Sequence, residues 1–360
     1  MRFSDMFTYP PFAFFALACV TFVFRCGFRP AVKAVWVACL LLAFSKFWCF
    51  KTFWGSLSNP EIPDYLLIAW DTLFVGALVL SLISPLFIFR FPCKCFLLPF
   101  FSWTAAVASV ACGVVVPGVK EVQLDFPDLP PSLDGYRIAQ ISDLHCSSAL
   151  RGWRTAAVVD EVNRIGADLI CLTGDYVDGY VADRAEDMTP LKRLSARDGV
   201  YYVTGNHEYY RDGKRWLKWF KDNGLRFLVN ECVFPHPELA LGGVNDPVAA
   251  RYGDVVPDVR KAFSCATNGE FRVLLQHRPQ DARMNIGKFG VDLQLSGHTH
   301  GGVAPLLRNV VAKSNGGFSL GVYRMEGGVL YVSPGSGQWA GILSRFFNPA
   351  EITLIMLRRR

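Results

Sequence analysis

The chain has 360 residues, 51% of them hydrophobic, a mean hydropathy of +0.25 and a formal net charge of +6. That length holds one large domain and a second body, and the apolar excess, concentrated before about residue 118, excludes a wholly soluble chain. No Lys/Arg block interleaved with aromatics of the kind that nucleic-acid grooves use occurs, so the charge does not point to a nucleic-acid partner.

Four apolar stretches come first, at about Met6–Phe24, Ala31–Phe50, Tyr65–Phe89 and Cys95–Val116. A helix needs about 20 residues to cross a ~30 Å hydrocarbon layer, and each stretch is about that long. Arg25, Arg29, Arg90 and Lys94 punctuate them, and Trp48, Trp54 and Trp70 sit where interfaces are expected. Residues 1–118 therefore read as a four-helix, four-span transmembrane region with the bilayer as its partner. Lys33 is close enough to an end to snorkel, whereas Asp71, about two turns into the third span, should face the bundle or the interface. Arg25, Arg29, Lys33, Arg90 and Lys94 on one side oppose Arg2, Lys46, Lys51 and Lys120 on the other. This narrow margin places both termini and the downstream domain outside the cytoplasm. A cleaved signal peptide is not expected, because more spans follow the first. The eleven cysteines form neither a zinc ribbon nor a disulfide framework. Cys93 and Cys95 read as small hydrophobes, with palmitoylation the alternative in a eukaryote.

From Pro117 the composition changes. Residues 119–135 contain Asp125-Phe-Pro-Asp-Leu-Pro-Pro-Ser132 and read as a Pro/Asp-rich linker and lead-in. Residues 136–360 then alternate strand-like and helical runs. Strands are expected at Tyr136–Ser142, Ala167–Thr173, Gly199–Thr204, Leu239–Val244, Phe271–Gln276, Val291–Leu295, Val329–Ser333 and Ile352–Leu357. Helices are expected at Thr155–Ile165, near Met188–Ser195 and at Lys214–Asp222. That rhythm is α/β, with functional loops at strand C-termini. In the last helix Trp216 and Phe220 should pack onto the sheet. The alternative is an interfacial helix on lipid headgroups, joined by Trp339, Phe346 and Phe347, in which Trp219 matters for bilayer substrates.

Five motifs end strands in polar groups. Ile141-Ser-Asp-Leu-His145 offers Asp143 and His145, and Leu172-Thr-Gly-Asp-Tyr-Val-Asp178 offers Asp175 and Asp178. Thr204-Gly-Asn-His-Glu208 offers Asn206 and His207, Leu275-Gln-His-Arg-Pro279 offers His277, and Leu295-Ser-Gly-His-Thr-His-Gly-Gly302 offers His298 and His300. Alternate residues of an extended chain face opposite ways, so the last two imidazoles share a site only if a turn re-aims them. Five of the six histidines are used in these motifs. Nitrogen and oxygen donors without thiolate suit Mn, Fe or Zn at a reactive centre.

Asp-x-His, Gly-Asp, Gly-Asn-His-Glu, His and Gly-His-x-His, in this order, resemble the calcineurin-like metallophosphoesterases over roughly Val122 to Arg358. The lead-in Leu129–Gly135, the Gly301-Gly302 pair and the Pro349–Leu354 tail resemble a bacterial, membrane-attached branch similar to UDP-diacylglucosamine hydrolases of lipid A synthesis. The resemblance implies a four-layer α/β/β/α sandwich with two divalent ions between its sheets, anchored in a bacterial inner membrane. One ion would take Asp143, His145 and His300, the other Asn206, His277 and His298, with Asp175 bridging. It also implies attack on phosphorus by a metal-bound hydroxide, with His207 as general acid oriented by Asp178. Gly179 stands where phosphoprotein phosphatases carry a phosphate-gripping Arg, so a phosphoprotein substrate is disfavoured. Val303 replaces the Gln of many soluble relatives.

Three functions remain open on these residues. The first is hydrolysis of a phosphate ester or pyrophosphate in a lipid or lipid-linked nucleotide. The second is a broad phosphodiesterase on small soluble esters, and the third is a non-catalytic membrane sensor or scaffold.

Overall fold

The computed structural model describes residues 11–56, 60–88, 97–267, 269–302, 304–339 and 341–360. Arg2, Arg90, Cys93, Lys94, Cys95 and Val303 lie outside the described residues. The chain forms two compact units, one of residues 1–114 with 340–345 and one of residues 115–339 with 346–360.

In the first unit the helices are Pro11–Arg25, Pro30–Phe44, Lys46–Trp54, Asp64–Ile88 and Leu97–Val114. Two of them, at Asp64–Pro85 and Leu97–Val114, are long and apolar enough to cross a membrane. Pro30–Phe44 with Lys46–Trp54, bent by 52° at Ser45, makes a third if the pair is one span. Lys33 donates to the Phe24 carbonyl at 2.8 Å. Asp71 faces the interior, only 1% exposed, and its partner there is Lys46, which is fully buried. Lys46 therefore leaves the tally of loop cations: its ammonium pairs with Asp71 and donates to the Gly341 carbonyl at 2.9 Å. A buried charge without such partners would cost several kcal/mol. Ser109 and Ser344 share a 2.8 Å hydrogen bond, and Arg345 N–H donates to the Ser109 carbonyl at 3.1 Å, so residues 341–345 are fastened among the helices.

The second unit holds two six-stranded sheets. The first runs β1 (Gly118–Phe126), β12 (Glu351–Arg359), β2 (Arg137–Ile141), β3 (Leu169–Leu172), β4 (Val200–Tyr202), β5 (Arg226–Phe227). The second runs β10 (Gly321–Met325), β11 (Gly328–Val332), β9 (Leu293–Ser296), β8 (Phe271–Leu275), β7 (Leu239–Gly243), β6 (Glu231–His236). Strands β2 to β5 are parallel, as are β7, β8, β9 and β11. Buried on both faces, β3 and β9 are fully enclosed, as such central parallel strands must be.

One apolar cluster (Ile138, Leu169, Leu241, Val273, Leu295 and Leu357 among others) joins the sheets. A second packs the helices Gly152–Ile165, Val181–Met188 and Gly213–Asp222 outside the first sheet, and a third packs Val259–Ala262 and Ala282–Phe289 outside the other. This is the α/β/β/α sandwich. Trp216 and Phe220 are fully buried on the sheet, and Trp216 Nε1 donates to the Gly179 carbonyl at 2.9 Å. The outward positions of that helix carry Lys214, Arg215, Lys218 and Lys221, so the packing reading describes it.

Two features differ from the sequence reading. Residues 118–126, placed mostly in a linker, form β1, which pairs along its whole length with β12. The alternation Val122-Gln-Leu-Asp-Phe126 carries that strand, but the prolines beyond Phe126 mask it. Cys232 and Cys265 form one disulfide across 33 residues, tying edge strand β6 to the segment after Val259–Ala262.

Candidate metal centre

Every motif loop leaves the C-terminal end of a parallel strand: β2, β3 and β4 in one sheet, β8 and β9 in the other. Their ends are level, so loops from both sheets meet. Asp143, His145, Asp175, His298 and His300 all have positive φ, between 47° and 71°. Non-glycine residues enter that region at a cost of order 1 kcal/mol or more, and such positions cluster at functional sites. The left-handed step at each end of His298-Thr-His300 is what turns both imidazoles to one side. Gly297 and Gly205 leave room for the loops to close up, since a Cβ on Gly297 would collide with Asp143 and one on Gly205 with Asp175.

The donors form two groups whose ligand atoms lie within 4.8 Å of one another: Asp143, His145 and His300, and Asp175, His277 and His298. The first group is the set expected for one ion; the second shares His277 and His298 with the set expected for the other and holds Asp175, expected to bridge, while Asn206 is in neither. His145 Nε2 is 3.1 Å from His300 Nε2 and 3.9 Å from Asp175 Oδ2, while His277 Nε2 is 3.1 Å from Asp175 Oδ2 and 3.2 Å from His298 Nδ1. Asp175 thus stands between the groups. Imidazole nitrogens this close to one another and to carboxylates can share a cation, and the set of buried carboxylates and histidines fits divalent ions. The backing contacts suit ligands too. His277 Nδ1 donates to the Thr173 carbonyl at 2.6 Å, Ser142 Oγ donates to Asp143 at 2.6 Å, and Asn348 donates to the His300 carbonyl at 2.6 Å.

Asp178 is shared. One oxygen faces His145 Nδ1 at 3.1 Å and the other takes His207 Nδ1 in a short contact. His207 also donates its backbone N–H to Asp175 at 2.8 Å and belongs to a third grouping with His145 and Asp175. Burial pulls His207 down, but Asp178 and Asp175 outweigh it and lift the imidazole to about 9. Burial likewise opposes the low position of Asp178, which His207 and His145 hold well below the carboxylate range. Burial raises Asp143 against the pull of His277, and His277 itself, depressed by burial, is lifted by Asp175 to about 10. A cluster that gathers protons in this way is one that cations would empty of them.

Three supporting residues were not singled out from the sequence. Glu208 is fully buried and accepts from the N–H groups of Asp175, Tyr176 and Gly205, at 3.1, 2.7 and 2.7 Å, locking two ligand loops together. Gln140 is fully buried below the site; its Nε2 donates at 3.0 Å both to Thr173 Oγ1 and to the Ser296 carbonyl. Arg278, next to His277, donates to Asp246 at 2.6 Å and to Asn206 Oδ1 at 3.2 Å. The Glu after Gly-Asn-His was visible within its motif, and Arg278 beside His277; nothing marked Gln140.

Two sheets of mixed strands sandwiched by helices, with paired donor groups at their common end, define a metallophosphoesterase. The chain belongs to the calcineurin-like phosphoesterase family, whose model matches residues 136–302. It is 30% identical to an uncharacterized metallophosphoesterase, YkuE, of Bacillus subtilis, over 64% of this chain and 82% of that one. It is 34% identical to a transmembrane protein with metallophosphoesterase domain of Danio rerio, over 68% of this chain and 58% of that one. An uncharacterized metallophosphoesterase of Helicobacter pylori is 32% identical over 68% and 65%. The chain thus spans less than two thirds of the length of the latter two relatives. Among solved structures, a dimetal phosphatase from Danio rerio aligns with a TM-score of 0.36 at 11% identity, over 56% of this chain and 88% of that one.

Proposed function

We propose that the protein is a membrane-anchored phosphoester hydrolase that uses two divalent metal ions (Mn, Fe or Zn) to cleave a phosphate ester or pyrophosphate in a lipid or lipid-linked nucleotide. UDP-2,3-diacylglucosamine is the type of substrate we have in mind. The observation that carries the reading is the convergence of two donor groups, drawn from four loops of two sheets, around Asp175. Asp143, His145 and His300 would hold one ion and Asn206, His277 and His298 the other, with Asp175 between them. The bound ions would supply a nucleophile at neutral pH and positive charge for the phosphoryl oxygens. The chain's own residues do the rest. Asp178 fixes Nδ1 of His207, leaving Nε2 to hand a proton to the departing oxygen. Two divalent ions bring four positive charges and Asp143 and Asp175 remove two, so an anionic phosphate is drawn in.

Two observations support a membrane-surface substrate. The first is the pair of long apolar helices. The second is the set of exposed apolar side chains Leu307, Val310 and Phe347, the last 89% exposed, on segments that adjoin the His300 loop. The Cys232–Cys265 disulfide supports an extracytoplasmic catalytic unit, because such bonds persist in oxidising compartments. The four-span count and a bacterial inner membrane complete the proposal.

The test is metal analysis of the purified full-length protein, with turnover of UDP-diacylglucosamine in micelles and of a soluble chromogenic diester. About two ions per chain, loss of turnover on chelation and recovery with Mn are expected. No hydrolysis of any ester would leave a sensor or scaffold, and equal preference for the soluble diester would reduce the membrane part to an address.

A further inference from the structure

Arg278 has no task in the reaction as described so far. Its side chain is 23% exposed, while that of its ion-pair partner Asp246 is fully buried. Asp246 is itself fixed: Oδ1 accepts the Val248 N–H at 2.8 Å, its own N–H donates to Thr204 Oγ1 at 3.1 Å, and Oδ2 takes Arg278 Nε at 2.6 Å. The guanidinium is thereby held by one edge. Its Nη2 reaches Asn206 Oδ1 at 3.2 Å, and its charge acts on Tyr210, whose ring centroid lies 5.1 Å from that of His207. The arginine thus stands at the rim of the proposed metal centre, on the side of Asn206, His277 and His298.

An arginine kept only to neutralise Asp246 needs one edge of its fork. Here the rest of the fork is directed at an amide oxygen proposed to face a divalent ion. Two cations sharing one oxygen repel unless an anion lies against both. Guanidinium presents paired N–H groups at the spacing of two phosphoryl oxygens, which a lysine ammonium cannot do.

We infer that Arg278, positioned by Asp246, is a substrate-binding residue that grips a non-bridging oxygen of the scissile phosphoryl group. This rests on the phosphoester hydrolase reading and deepens it. Arg278 brings its charge from the loop after β8, in the sheet opposite the one that carries Asp143 and Asp175. The recognised chemistry is the phosphoryl anion itself, whether free, in a soluble diester or in a lipid-linked ester.

The test compares full-length wild type with Arg278→Lys, which keeps a cation beside Asp246, and with the double variant Arg278→Met/Asp246→Leu, which leaves no buried charge unpaired. Calorimetry on Mn-loaded protein reads the affinity for inorganic phosphate, and steady-state assays read KM and kcat on the soluble diester and the micellar lipid-linked ester. Metal content and melting temperature of the Lys variant should stay at wild-type values. Its phosphate affinity should fall about 10-fold, and kcat/KM should fall about 10- to 100-fold on both esters alike, with larger losses in the double variant. Unchanged phosphate affinity and KM would overturn the inference. So would lost metal or an early melt in the Lys variant, which would mark a structural clamp, or a loss confined to the lipid-linked ester, which would mark a headgroup contact. If wild type hydrolyses no ester but binds phosphate in an Arg278-dependent way, the hydrolase reading falls and the phosphoryl grip stands. If it hydrolyses esters and the variants match it, the inference alone falls.

Discussion

Asp178 serves two imidazoles at once, and this separates two effects that a single partner would merge. Through His145 it steadies a proposed metal ligand, and through His207 it steadies the proposed acid. His207→Ala should therefore lower kcat by about 10²- to 10³-fold on esters with poor leaving groups and far less on p-nitrophenyl esters, with metal content unchanged. Asp178→Asn should lower kcat and also reduce metal content, because His145 loses its hold. Steady-state rates across a leaving-group series, read beside metal analysis, check both. At this scale the sequence was most informative. All seven proposed ligands, Asp178 and His207 were named from short motifs, because a ligand needs a particular side chain beside a particular turn. The supports were harder to see. Gln140 looks like any polar residue in a strand, and its task arises only when Thr173 and Ser296 are brought within 3.0 Å from other strands.

The central strands were legible because their apolar runs are bounded by the motifs themselves, and their ends shifted by only a few residues. Short edge strands were not. β5 has two residues and β6 is half exposed, so neither carries a periodic signal, and β1 shows its alternation only beside its partner β12. What holds the two sheets in register below the centre is partly Gln140, whose amide joins β2 to the end of β3 and to β9. Gln140→Leu takes a donor from the Thr173 hydroxyl and leaves the Ser296 carbonyl only the Ser333 N–H at 2.9 Å. A loss of about 1–2 kcal/mol in unfolding free energy is expected, together with about a 10-fold rise in the metal concentration for half-activation. Chemical denaturation and metal titration measure the two effects separately.

At the scale of the whole molecule, one half-buried acid far from the chemistry sets part of the pH response. A cleft of about 300 Å³ lined by Asp128, Glu270, Arg272 and Asp292 lies at the N-terminal ends of β8 and β9, away from the ligand loops. Burial raises Asp292 to about 6, with Asp128 adding to it, against the Arg272 backbone N–H at 2.7 Å and the Arg272 charge. A carboxyl raised on folding binds its proton more tightly in the native state. Its contribution is therefore whole below about pH 4 and is lost as pH rises through about 6. Asp292→Asn keeps the acceptor without the charge, so it should stabilise by about 1–2 kcal/mol at pH 7.5 and change little at pH 4. Thermal or denaturant midpoints at the two pH values check the sign.

Residues 341–345 are owned by the helices, although the chain on either side of them belongs to the catalytic unit. Deleting everything before Val115 would consequently not yield a tidy soluble enzyme. Leu343, buried without exposure in the intact protein, would be stripped of its surroundings, and the Gly341 carbonyl would lose the ammonium that satisfies it. The helical unit is stitched into the polypeptide twice, once at Val114 and once through a short tongue, and a biochemist wishing to sever it must cut and re-tailor both seams.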